Sequence, residues 1–139
     1  MLRDLFLETY SAIPASSTRA HIERVVRAYL SSYTTNDIDG RVSLFAENVE
    51  AEEPVGSPAI RGRDALVAFW QGSVDAGWQC TNRLERLVVN GDEAFLCFQS
   101  DLSLEGQGSV SLKVFETLAF DERGLIQRLR AFNDETCLS

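Results

Sequence analysis

Tyr29, Glu53 and Glu116 are the side chains whose types and placement allow shared acid–base chemistry. In "VEAEE", residues 49–53, side chains alternate across an extended strand, so Val49, Ala51 and Glu53 share one face and Glu50 and Glu52 the other. Glu50 and Glu52 then belong to water, and Pro54, which has no N–H for a ladder, ends the strand. In "SVSLKVFETLAF", Val110, Leu112, Val114, Glu116, Leu118 and Phe120 share a face on which the acid is the one polar residue. An acid among aliphatic side chains loses its hydration, which disfavours the charged form. Glu116 is therefore a candidate for a neutral, proton-donating carboxylic acid. Tyr29 sits at the centre of an apolar helix face, and a buried phenol needs a partner. Two acids and a phenol in one apolar chamber make a poor core, because each unpaired group costs about 1–3 kcal/mol. They suit a polar ligand better.

Each residue also has a plainer reading. Tyr29 can be a core tyrosine with its hydroxyl at the rim, Glu53 can turn to solvent at the strand end, and Glu116 can pair with Arg128 or Arg130.

The elements that must position these groups follow from periodicity. Residues 1–15 form a short helical extension ending near Pro14, and 16–139 form one domain. "SSTRAHIERVVRAYLSSYTTND" offers Ser16, Ser17 or Thr18 as an N-cap, and its apolar face is Ile22, Val25, Val26, Tyr29, Leu30 and Tyr33. Asp37 caps a second, short helix holding Val42, Leu44 and Phe45. "GRDALVAFWQGSV" is a third, with Leu66, Phe69, Trp70 and Val74 on one side. From residue 79 the period becomes that of strands, separated by "NG", "GQG" and "DERG", with Asn-Gly the strongest short hairpin signal. Helices followed by an antiparallel meander predict an α+β domain.

Bulk composition narrows the function classes. A net charge of −8 argues against nucleic acid and anionic membranes, whose phosphates would be repelled. No stretch approaches membrane-spanning length. Residues 1–15 lack a long apolar run, so no secretory signal is expected. Cys80, Cys97 and Cys137 are odd in number and widely spaced, which favours free thiols and a reduced, cytoplasmic setting. His21, the one histidine, reads as a surface residue of the first long helix, so neither a His-based metal site nor a Ser–His or Cys–His pair is expected.

Two segments, "AYLSSYTTNDIDGRVSLFAENVEAEEPVGSPAIRGRDALVAFW" and "VFETLAFDERGLIQRLRAF", resemble the ketosteroid isomerase branch of the nuclear-transport-factor-2-like (SnoaL-like) superfamily. The likeness runs from about residue 20 to 133. It implies a cone-shaped, curved, mainly antiparallel sheet wrapped by three helices (a cystatin-like architecture), and a homodimer through the outer sheet face. Leu96, Phe98, Leu102 and Leu104 are candidates for that outer face, or equally for the cavity wall. By resemblance, the tyrosine that donates to the substrate carbonyl falls on Tyr29. The proton-shuttling carboxylate falls on Glu53, and the protonated acid beside the oxyanion falls on Glu116. Their separations of 24 and 63 residues match the family's without a gap. The pocket implied is lined by Tyr33, Phe69, Trp70, Val114, Leu118 and Asn133, with Phe95 and Cys97 turned inward if the strand is counted from "NG". No cofactor or metal is implied; the partners expected are an apolar ketone and a second copy of the chain.

The sequence departs from the family's pattern. Both family acids are aspartates, and both are glutamates here, each carboxylate displaced by roughly 1.5 Å. Supporting tyrosines found in some members correspond to Phe45 and Trp70, and Asn133 stands where an aromatic often lines the pocket. Besides an isomerase, the scaffold admits a polyketide-cyclase-like or epoxide-hydrolase-like enzyme, or a binding protein without catalysis. The hydrolase needs an arginine between two acids; Arg83, Arg128 and Arg130 are the candidates.

Overall fold

In the computed structural model, which describes residues 1–139, helices give way to long strands at Trp78. The elements are α1 (Leu2–Ser11), α2 (Arg19–Ser31), α3 (Ile38–Val42), β1 (Phe45–Glu52), β2 (Ile60–Arg61), α4 (Arg63–Asp75), β3 (Trp78–Asn90), β4 (Glu93–Leu104), β5 (Gly108–Phe120) and β6 (Ile126–Phe132). Strand order is β2-β1-β6-β5-β4-β3. All pairings are antiparallel except β1 with β6, because the chain crosses through α4 and the meander before returning beside β1. The protein is thus an α+β domain with one curved, open sheet. α2, α3 and α4 cover its inner face, and α1 buries none of its residues.

Local chemistry sets the helix starts. Of the three candidate caps for α2, Thr18 does the work: its Oγ1 accepts the His21 backbone N–H at 3.1 Å. Asp37 caps α3 in the same way, accepting from Gly40 at 3.0 Å. His21 is not merely a surface residue, since its ring nitrogen lies 2.9 Å from the Gly124 carbonyl and ties α2 to the turn before β6.

Alternation on β5 is as the sequence predicts from Leu112 onward, with Val114, Glu116, Leu118 and Phe120 buried; Val110, near the start of the strand, is exposed. On β4 the inward residues are Ala94, Leu96, Phe98 and Ser100. Phe95 and Cys97, expected inward when counting from "NG", lie on the outer face, where Phe95 is 45% exposed and stacks at 6.3 Å on Phe115. The cause is one residue of register: Asn90 pairs with Glu93, so the two-residue turn is Gly91-Asp92 rather than Asn90-Gly91. A one-residue slip moves every side chain to the opposite face. For the same reason Leu96 and Phe98 are core residues and not part of an outer face. In β3 a bulge between Leu84 and Arg86 lets Leu84 and Leu87, of opposite parity, both contribute to the core.

Under the helices the core is knitted by rings. Phe45, fully buried, meets Tyr29 at 5.8 Å and Trp70 at 5.4 Å, both edge to face. It joins α2 and α4 to the start of β1. Phe45→Ala is expected to lower unfolding stability by about 3–5 kcal/mol in a denaturant titration, the usual range for a large aromatic removed from a core; a loss below about 1 kcal/mol would show that this contact does not anchor the helices.

Candidate active site

Glu53 continues the inward alternation of β1 one residue past the strand's end. Its neighbours are not simply solvated: Glu50 pairs with Arg61 at 3.0 Å and Glu52 with Arg130 at 2.9 Å. Glu53, on the inner face, joins no such ion pair. The chain beyond it is pinned by the Val55 N–H, which donates to the Ala131 carbonyl at 2.8 Å. Burial pushes the Glu53 carboxyl up to about 7, while the nearby Arg41 guanidinium pulls the other way.

Across the hollow, Glu116 is 2% exposed at the middle of β5. The Tyr29 hydroxyl donates to its Oε2 at 3.4 Å, and the Tyr33 hydroxyl donates to the Tyr29 oxygen at 3.3 Å. Both contacts are long, as catalytic hydrogen bonds commonly are before a ligand tightens them. Tyr33, one helical turn after Tyr29, supplies the hydroxyl that Phe45 and Trp70 lack. Glu116 Oε1 is buried with no partner. Burial, and then the charge of Glu53, hold the Glu116 carboxyl well above the usual range, and the Tyr29 bond offsets only part of this. Glu116 is therefore the neutral member of the pair, with an O–H to donate. Arg128 and Arg130, its alternative partners, flank Ala119 and Thr117 and so lie on the opposite face. Tyr29 also stays protonated, because burial disfavours its charged phenolate form.

The hollow has two lobes of about 160 Å³ each. Tyr29, Asn82, Phe98, Val114, Glu116 and Asn133 line the inner one. Arg41, Phe69, Trp70 and Trp78 line the outer one, and Tyr33, Glu53, Cys80 and Leu102 belong to both. Of the residues expected around a ligand, Tyr33, Phe69, Trp70, Val114 and Asn133 are therefore at the cavity. Leu118 is fully buried in the core behind it, and Phe95 and Cys97 are on the far side of the sheet.

Sequence reasoning missed Arg41. Ile38, Arg41 and Val42 are spaced as one helical face, so the signal was a cation on the apolar side of a short helix. Asn82, Ser100 and Cys80 were missed as well. They satisfy one another, Ser100 donating to Asn82 Oδ1 at 2.7 Å, and form a polar wall that the β3 bulge made hard to count.

The SnoaL-like domain model matches residues 26–129, a span that includes Tyr29, Glu53 and Glu116. The chain belongs to the SnoaL-like family. Among proteins similar to this SnoaL-like chain is a steroid Delta-isomerase from Nocardioides simplex, 28% identical over 113 residues, or 81% of this chain and 89% of the relative. Among solved structures, the epoxide hydrolase/cyclase-like enzyme SalBIII of pyran ring formation in polyether salinomycin superposes with a TM-score of 0.76 at 21% identity. The match covers 84% of this chain and 93% of that one. The structural likeness is one of fold.

A glutamate whose pKa is raised on folding binds its proton more tightly in the native state than in the unfolded one. Its stabilising contribution is complete below the ordinary carboxyl range and is lost as pH climbs through about 7. Between about pH 5 and pH 8 the melting temperature should therefore fall, and Glu53→Gln should fall less steeply over the same range. Parallel profiles for the two proteins would show that Glu53 is not desolvated.

Proposed function

We propose that this SnoaL-like protein is a cofactor-independent isomerase that moves a proton alpha to the carbonyl of an apolar ketone, as in a steroid delta-isomerase. One observation carries the reading. A buried neutral acid with an unpartnered oxygen, bonded to a phenol, shares a small apolar hollow with a second acid that titrates near 7. A base is most effective when its pKa lies near the working pH. The 28% identity to a steroid Delta-isomerase supports the same direction.

In this mechanism the Glu53 carboxylate removes a proton from the carbon between the ketone and a β,γ double bond. The electron pair shifts toward the carbonyl oxygen, giving a dienolate. Tyr29 and Glu116 donate hydrogen bonds to that oxygen as its charge develops, the contribution that usually dominates such reactions. Glu53 then returns the proton to the γ carbon, and the double bond ends in conjugation. Ketosteroid isomerase is itself a standard worked case of an acid kept neutral for this donation. Here the means is the apolar face of β5.

Incubation with a β,γ-unsaturated ketone, read by the absorbance of the conjugated enone, tests this. Glu53→Gln should reduce kcat by about 10²–10⁴, the range for a general base, with ligand affinity little changed. Turnover at the native rate would remove Glu53 from the chemistry. Glu116→Ala should cost about 10²–10³ in kcat, as for a lost oxyanion donor, and Glu116→Gln should cost less because an amide still donates. Equal losses would count against the donor role.

A second reading draws on the same opposed protonation states. A neutral Glu116 can equally protonate an epoxide oxygen while Glu53 takes the proton from an attacking hydroxyl, as in epoxide opening or ring closure. None of Arg83, Arg128 and Arg130 lines the hollow, so the acid–arginine–acid set expected of a hydrolase is not assembled from them. Turnover of an epoxide without any of the enone substrate would favour this reading over the isomerase.

A further inference from the structure

Arg41 enters the proposed chemistry only through its pull on the Glu53 carboxyl, and its geometry asks for a direct partner as well. It is 2% exposed, yet no carboxylate lies within 4.0 Å of it and it joins none of the ion pairs. A buried charge without a partner is costly, and proteins keep such groups paired. Its Nε donates to Ser32 Oγ at 2.8 Å, and Ser32 in turn donates to the Tyr29 carbonyl at 2.6 Å. Its guanidinium carbon stands 3.5 Å from the centre of the Tyr33 ring and 4.8 Å from that of Trp70. Two aromatic faces and a fixed hydroxyl therefore set the plane of the group. Nη2 is buried with no acceptor. A core whose only need was cohesion would place an aliphatic residue here. What stands here is an oriented cation at the wall of the outer lobe, with an unused donor.

We propose that the outer lobe is a carboxylate subsite, and that the natural substrate is an amphipathic keto acid: an apolar ketone with a carboxylate held by Arg41 at the end away from the carbonyl. The ketone end rests on the isomerase reading above; the acid end does not. Charge-assisted bonds from a guanidinium to a carboxylate are stronger than neutral ones, and Nη2, which has no acceptor, is the donor such an anion would satisfy once the Arg41 side chain shifts to admit it. Tyr33, Glu53, Cys80 and Leu102 line both lobes, so one ligand can occupy the two together, its anion at Arg41 and its carbonyl at Tyr29 and Glu116. Phe69, Trp70 and Trp78 flank the outer lobe and provide the apolar wall along which the body of such a molecule would lie. Glu53 sits between the two ends, where the carbon that loses its proton must be. The arrangement makes the acid end a selectivity device: an ester or a hydrocarbon of the same shape leaves the Arg41 charge unpaired, the kind of buried polar mismatch that discriminates strongly between analogues.

The test uses probes that cannot isomerise, so it is separate from the enone assay. Calorimetric titration of the full chain with 2-naphthoate and with its methyl ester should show the acid binding at least about ten-fold tighter, which is about 1.4 kcal/mol. Arg41→Met should erase that preference, bringing acid and ester to within about two-fold of each other. Equal binding of acid and ester by the native protein, or a preference that survives in Arg41→Met, overturns the subsite. Should the variant fail to fold, the native protein decides: the guanidinium nitrogen resonances of Arg41 should shift with naphthoate and not with the ester. Naphthoate binding without a shift at Arg41 also overturns the proposal. Loss of enone turnover in Glu53→Gln together with no naphthoate preference would sink the subsite alone. A clear naphthoate preference with no enone formed would sink the isomerase reading and leave the subsite standing.

Discussion

The structure turns on the removal of water from Glu116. β5 turns Leu112, Val114, Leu118 and Phe120 inward, and the one acid in that row, Glu116, forms no ion pair and has a single long hydrogen bond from Tyr29. Burial of this kind penalises the charged form, so the group stays neutral and keeps a proton that it can donate. Everything else in the site is arranged around that fact. Tyr29 must stay protonated beside it, and burial sees to that. Burial raises both carboxyls, Glu53 to about 7, and Glu53 is the one that a cation, Arg41, draws back down. Two like groups are thereby given different proton affinities by their surroundings alone.

Keeping three such groups in one hollow costs stability, and the frame around them is correspondingly firm. The edge-to-face sequence from Tyr33 through Tyr29 and Phe45 to Trp70 ties α2, β1 and α4 together directly beneath the hydroxyl pair. On the other side of the sheet, Glu50 and Glu52 pair with Arg61 and Arg130, away from the hollow. The long 3.3 and 3.4 Å contacts along Tyr33, Tyr29 and Glu116 leave slack that a ligand oxygen can take up.

Polarity at the cavity wall bears on what such an oxygen belongs to. Asn82, Ser100 and Cys80 bond among themselves, so they shape the inner lobe without demanding a partner. Arg41 does demand one. The contrast between a satisfied wall and an unsatisfied cation, a few residues apart in space, separates framework from recognition in this site.

Strand alternation made Glu53 and Glu116 legible as inward acids, helical spacing did the same for Tyr29, and the helix-then-meander order gave the α+β class. These are local properties: each follows from a period of two or 3.6 along a short stretch. Phe95 and Cys97 were misplaced because hairpin register depends on which two residues make the turn, a choice settled by pairing between strands rather than by the dipeptide itself. The bulge in β3 defeated counting in the same way. Arg41 was invisible as a cavity residue because a cation on a five-residue helix is solvated unless other elements close over it; here Tyr33, in the turn after α2, and Trp70, in α4, do so. The amino-acid sequence by itself determined which faces are apolar and which acids interrupt them. Only the tertiary structure decided which of those acids met an arginine and which lost its water, because desolvation and pairing depend on groups distant along the chain.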